Sequence, residues 1–189
     1  MRKRGFTIVE SIIGVILFTI VSLAGLALMI QGTTEFQMTS SETNLNNENA
    51  QGIRYVTQKL RNAMSVSITN GGAQITYVVP KMSDTVNAVT GEKELVYPLT
   101  SDGLTHTMTV NYVTGKLTDN FTGQTIVRDV QKLDPEKSSS QYGLVYQPFQ
   151  LGTIGSKKSV TITLITLDTI GAKTRYVRLK SSVLLRNLR

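Results

Sequence analysis

Residues 5–34 read GFTIVESIIGVILFTIVSLAGLALMIQGTT. From Ser11 to Thr34 no residue is charged, and Ile, Val and Leu dominate. As a helix rising about 1.5 Å per residue, this run reaches about 36 Å, enough to cross a hydrocarbon core of about 30 Å. Arg2, Lys3 and Arg4 precede it, and basic flanks stay on the cytoplasmic side of a span. The stretch therefore predicts a single membrane span with a cytoplasmic amino terminus. A cleaved secretory signal also opens basic and then turns apolar. Three features weigh against that alternative. The apolar run is long for a signal. Ala24 and Ala27 lead into Leu28, Met29 and Ile30 rather than closing a small-x-small cleavage site. Glu10 sits at the start of the apolar run, where a carboxylate is costly and its presence points to a function.

Working outward, the stretch from Gln31 to Gly52 is polar and holds no proline; then Ile53, Val56, Leu60 and Ala63/Met64 recur at helical spacing. Arg54, Lys59 and Arg61 fall off that stripe. One long helix is expected over 6–64, with Gly32 and Gly52 as sites of bending. After Met64 the period changes to two. Strands are expected at 65–69 and 74–79 around the turn Asn70-Gly71-Gly72. A loop is expected over 81–94. Strands at 94–99 and 105–113 are expected to form a hairpin about Asp102-Gly103. Thr114-Gly115-Lys116 reads as a turn, 124–133 is ambiguous, and 134–141 reads as a loop. Strands at 143–147, 158–167 and 173–180 complete the chain, with a hairpin at Gly171-Ala172. The fold class is therefore α+β, a long amino-terminal helix packed on a mainly antiparallel sheet.

Composition removes whole classes of chemistry. The chain has 189 residues, no cysteine, no tryptophan and one histidine. Thiol catalysis, disulfides and Cys-based metal centres are thereby excluded. A histidine triad has only His106 to run through, and a multi-His metal site cannot form. The formal charge is +7, but it is uneven. Three basic residues lie in 1–5; eight basic and one acidic lie in 157–189; nine basic and twelve acidic lie between. No nucleophile elbow, zincin or Walker motif occurs. The segment from Gly152 to Lys158 has a loose likeness to a phosphate loop, but its spacing is wrong and a strand follows. Asp119, Asn120 and Asp129 read as turn formers, with calcium ligation the alternative. His106 reads as a solvated or partly buried strand residue. No enzyme activity, cofactor or metal is expected.

The hexapeptide Gly5-Phe6-Thr7-Ile8-Val9-Glu10, between a short basic leader and an apolar run, resembles the type IV prepilin signal. That resemblance implies cleavage by a prepilin peptidase between Gly5 and Phe6, N-methylation of Phe6, and retention of the helix in the cytoplasmic membrane. It also implies that Glu10 pairs with the amino terminus of a neighbouring pilin during assembly through the helices; the alternative is a carboxylate at headgroup level paired with its own amine. The pilin scaffold implies a leader at 1–5, a transmembrane and assembly helix at 6–34, its continuation at 35–64, and a β-rich head at 65–189. Leu60-Arg61-Asn62-Ala63, the strand Val160-Thr161-Ile162-Thr163-Leu164 and Leu185-Arg186-Asn187 resemble minor pilins of the PilW, ComGF and GspJ type. The implied function is a minor pilin entering or priming a type IV pilus at the cell surface. A type II secretion pseudopilin and a DNA-binding competence subunit are the alternatives. For the last, the candidate surface is Lys157, Lys158, Lys173, Arg175, Tyr176, Arg178, Lys180 and Arg186. It suits DNA phosphates, an acidic partner pilin, anionic lipid or plain solvation.

Overall fold

The computed structural model describes residues 7–87, 89–91, 93–96, 99–135 and 143–186. The chain divides into two compact units, Met1–Ser41 and Glu42–Arg189. A single helix, α1 (Ile8–Arg61), belongs in part to each. In the first unit every residue from Thr7 to Thr33 is exposed, including Ile8, Phe18 and Leu28, which are at least 70% accessible. This helix is long and apolar enough to cross a membrane. Gly14, Gly25 and Gly32 face open space.

In the second unit the same helix changes environment. Leu45, Asn49, Ile53, Val56 and Leu60 are buried, and their spacings of three and four place them on one stripe. The stripe packs on two antiparallel sheets. Strands β1 (Ser65–Thr69), β2 (Gln74–Val78), β5 (His106–Asn111), β6 (Lys116–Asp119) and β7 (Gln124–Val127) form the larger, in the order β1-β2-β5-β6-β7. Strands β8 (Phe149–Ile154), β9 (Lys157–Ile170) and β10 (Lys173–Leu184) form the second, in the order β10-β9-β8. A short pair, β3 (Met82–Val86) with β4 (Lys93–Leu95), stands apart from both sheets. Inward residues of both sheets, among them Ile75, Tyr77, Leu117, Ile162 and Leu164, join Val56 and Leu60 in one core.

Two positions explain how the helix approaches so closely. Gly52 sits against β7: a Cβ there would collide with the Val127 side chain. Its cost in helix propensity is therefore set against a tight helix–sheet contact. One turn earlier, the buried Asn49 amide donates to Thr166 Oγ1 on β9 at 2.8 Å. The helix ends at Arg61, where Ala63 N–H turns back to Leu60 O (3.0 Å) and Met64 N–H already bonds to Val78 O (2.8 Å). From there β-branched residues alternate and the chain enters the sheet.

Several sequence expectations are corrected. The helix stops at Arg61, short of residue 64. Residues 81–94 are not all loop, because Met82–Val86 pairs with Lys93–Leu95. The expected hairpin of 94–99 with 105–113 does not form: β5 pairs with β2 and β6 instead. No strand occupies 143–147, where Val145 makes only an isolated bridge to Leu133. The strand lies just beyond, at Phe149–Ile154. The ambiguous stretch 124–133 supplies β7. The hairpin at Gly171-Ala172 forms, and its strands run on to Ile170 and Leu184. Of the expected loop at 134–141, residues 136–141 lie outside the described residues.

Candidate functional site

Gly5 and Phe6, where cleavage and methylation are expected, lie outside the described residues. The helix they lead into begins with a capping box. Thr7 N–H donates to Glu10 Oε2 at 2.9 Å, and Glu10 N–H donates to Thr7 Oγ1 at 3.3 Å. The Thr7 hydroxyl also donates to Glu10 Oε2 at 3.0 Å. Two helix-start amides with no partner along the helix are thereby satisfied reciprocally, and a carboxylate in the first turn complements the helix dipole. The Thr-x-x-Glu spacing was readable in the sequence. Glu10 thus has a local structural role, and its side chain remains exposed on the helix surface.

The eight basic-surface candidates are spread along the β9–β10 hairpin and the chain just beyond it. Lys157 and Lys158 open β9 and pair with Ile154 and Thr153, and Lys158 O accepts from Leu185 N–H at 3.1 Å. Lys173, Arg175 and Tyr176 lie at the other end of the β9–β10 hairpin, opposite Ile170, Asp168 and Leu167. At about 3.3 Å per residue, the two ends of β9 are about 40 Å apart. Arg175 faces the carboxylate-bearing Asp168 in register. Arg178 is committed elsewhere: its Nη2 forms an ion pair with Oδ2 of Asp134, a residue only 2% exposed. Lys180 lines the same polar recess as that pair, with Tyr146 and Gln150. Arg186 is brought instead to the end of α1, where its N–H reaches Arg61 O at 3.5 Å. Arg54, Arg61 and Arg186 line one groove there. Sequence reasoning passed over the two helix arginines because they lie off the apolar stripe. Their spacing of seven, with Thr57 and Gln58 between, is the signal that a second helix face carries them.

The remaining candidates are structural. Asp119 is buried; its Oδ2 accepts from Tyr55 O–H at 2.7 Å and its Oδ1 from Phe121 N–H at 2.9 Å. Burial and that hydrogen bond to Asp119 push the Tyr55 hydroxyl pKa upward. Asp129 occupies a turn at φ 55°. His106 Nε2 lies 2.9 Å from Asp102 Oδ2, with its ring between Tyr77 and Phe121 at centroid distances of 5.3 and 4.3 Å. Burial works against the Asp102 charge, but hydrogen bonds from His106 and from Leu104 N–H hold its carboxyl below the ordinary range. Gly155, at φ 63°, turns the β8–β9 hairpin and not a phosphate loop. Among the described residues no group of three or more His, Asp or Glu side chains converges to hold a metal ion.

These features define a class by architecture: an apolar, membrane-length amino-terminal helix that continues into the core of an antiparallel α+β unit. Comparison of the chain with protein-family models, with curated proteins and with solved structures returns no match.

Proposed function

We propose that the chain is a minor pilin or pseudopilin, a structural subunit whose apolar helix anchors it in the cytoplasmic membrane and then enters a filament. The observation that carries this reading is the division of labour along one helix. Its first unit exposes a mainly apolar surface with no charged residue from Ile12 to Ile30, and its last turns are core residues of a β-rich unit. The prepilin-like hexapeptide ending in Glu10 stands at the start of that helix. An exposed apolar helix needs lipid or other helices around it. A membrane anchor and a filament shaft each supply one, and a subunit that transfers between them needs both.

On this reading a prepilin peptidase cuts between Gly5 and Phe6 and leaves an amine near Glu10. In the filament, Glu10 exchanges part of its contact with Thr7 for the amino terminus of a neighbour. The role is structural and not catalytic. A pilus and a secretion pseudopilus share this chemistry, and they separate by whether loss of the chain removes surface filaments or protein export. A DNA-uptake subunit has less support, since the candidate basic residues are spread along a hairpin and Arg178 is already paired with Asp134.

The test is mass spectrometry of the chain purified from membranes, with and without a prepilin peptidase. The expected product begins at N-methylated Phe6 and retains the apolar helix. A chain cut after Ile30, or one that keeps Met1 in the presence of the peptidase, overturns the proposal. In the same cells, Glu10→Ala is expected to be processed normally yet to be depleted from sheared filaments.

A further inference from the structure

We infer that the groove at the carboxy-terminal end of α1 is a docking site for an acidic polypeptide segment. It holds about 490 Å³ and is lined by Arg54, Thr57 and Arg61 of α1, Ser181 of β10, and Arg186. Arg54, Thr57, Gln58 and Arg61 stand at i, i+3, i+4 and i+7, so one helix face presents both arginines. Arg186 is tethered beside them by its backbone bond to Arg61 O. No carboxylate lines the groove. Positions three and four residues from Arg54 are Ala50, Gln51, Thr57 and Gln58, so no acid lies within salt-bridge spacing on the helix. None of the three arginines has an ion pair among the described residues. At the floor, the Thr57 hydroxyl is shielded and has no hydrogen-bond partner among the described residues.

Three like charges around one groove repel, and an anion relieves that repulsion. Guanidinium forks take carboxylates or phosphates in bidentate fashion. Three features favour a peptide over nucleic acid. The lining contains no aromatic ring on which a base could stack. The volume far exceeds one carboxylate and suits a short run of side chains. The groove is also partly apolar, with Ile53 in its wall beside the arginines, as an interface core flanked by charge would be. The occupant is therefore a partner segment with two or more acidic side chains. The site belongs to the second unit alone, and the inference stands independently of the filament reading.

The test uses the full chain in neutral detergent micelles and a fluorescent peptide of alternating Glu and Gly as the probe. Binding is followed by anisotropy against salt. The expected result is saturable binding that weakens about tenfold in each of Arg54→Ala, Arg61→Ala and Arg186→Ala. Arg54→Lys is expected to recover only part of the loss, because an ammonium lacks the planar fork. Lys59→Ala, on the same helix but outside the groove, is expected to bind as the parent does. An unchanged melting temperature in the arginine variants separates lost binding from lost folding. Absence of saturable binding, or equal weakening by Lys59→Ala, overturns the inference. So does tighter arginine-dependent binding of a single-stranded oligodeoxynucleotide of equal charge, which would make the groove a phosphate site.

Discussion

The two halves of α1 are built from one continuous backbone and obey opposite rules. Between Ile8 and Ile30 apolar residues occupy every side of the helix and all are exposed. Between Leu45 and Leu60 they are confined to one stripe, and that stripe is buried. Glycine shows the contrast at single-residue scale. Gly14 and Gly25 have nothing within reach of an added Cβ, whereas Gly52 is pressed against Val127. The first half is written for surroundings that come from outside the chain. The second half is written for a partner within it.

Replacing residues on each side tests that contrast, and the largest effect is expected at Leu60. Leu60→Ala removes a fully buried side chain and is expected to destabilise the second unit by about 2–5 kcal/mol in thermal or denaturant unfolding of the micelle-bound chain. Leu17→Ala, in the exposed half, is expected to change the same transition by less than about 0.5 kcal/mol; a comparable loss there would break the comparison. Next comes the Asp134–Arg178 pair. Arg178→Ala strands a buried carboxylate and is expected to cost about 2–4 kcal/mol, less than a fully dry pair because the arginine is part exposed.

A smaller effect is expected from Gly52→Ala. The gain in helix propensity of about 1 kcal/mol is outweighed by overpacking against Val127, for a net loss of about 1–2 kcal/mol. Combining it with Val127→Ala is expected to return part of that loss, as a double-mutant cycle would measure. Gly25→Ala meets no neighbour and is expected to leave the second unit unchanged. The smallest effect concerns pH. The Asp102 carboxyl is held below its ordinary range, so its contribution is complete above the unfolded value of about 3.9 and disappears as pH falls through the folded one. Asp102→Asn is expected to flatten the stability profile below about pH 4, as melting curves across that range would show.

The helix was legible because both of its halves repeat a local rule, either continuous apolarity or a 3.6-residue stripe. The hairpins at Asn70-Gly71-Gly72 and Gly171-Ala172 were legible because their turn residues tolerate positive φ. What the sequence hid depends on distant partners. Strand β8 buries only Phe149 and leaves Gln150 to Ile154 exposed, so it carries no alternation to detect. Gly52 read as a site of bending, and its close approach to Val127, far along the chain, has no local signal. Arg178 read as a surface charge because nothing near it in sequence announces Asp134. The arginine groove joins α1 to a residue beyond β10 and has no local signature for Arg186. The capping box at Thr7 and Glu10 is the opposite case, a local pattern overshadowed by the more conspicuous placement of Glu10 at the edge of an apolar run.

Strand β10 is twelve residues long and is the outermost member of its sheet. Among the described residues no strand pairs with its outer edge, and an unpaired row of backbone donors and acceptors is what a strand from another molecule could extend, the usual first step toward aggregation. Lys173, Arg175 and Lys180 are distributed along that strand, with Arg178 held in its ion pair to Asp134. Two copies aligned edge to edge would bring these cations together before their backbones could bond. Positive charge spread along a long strand disfavours its pairing with a second copy of itself.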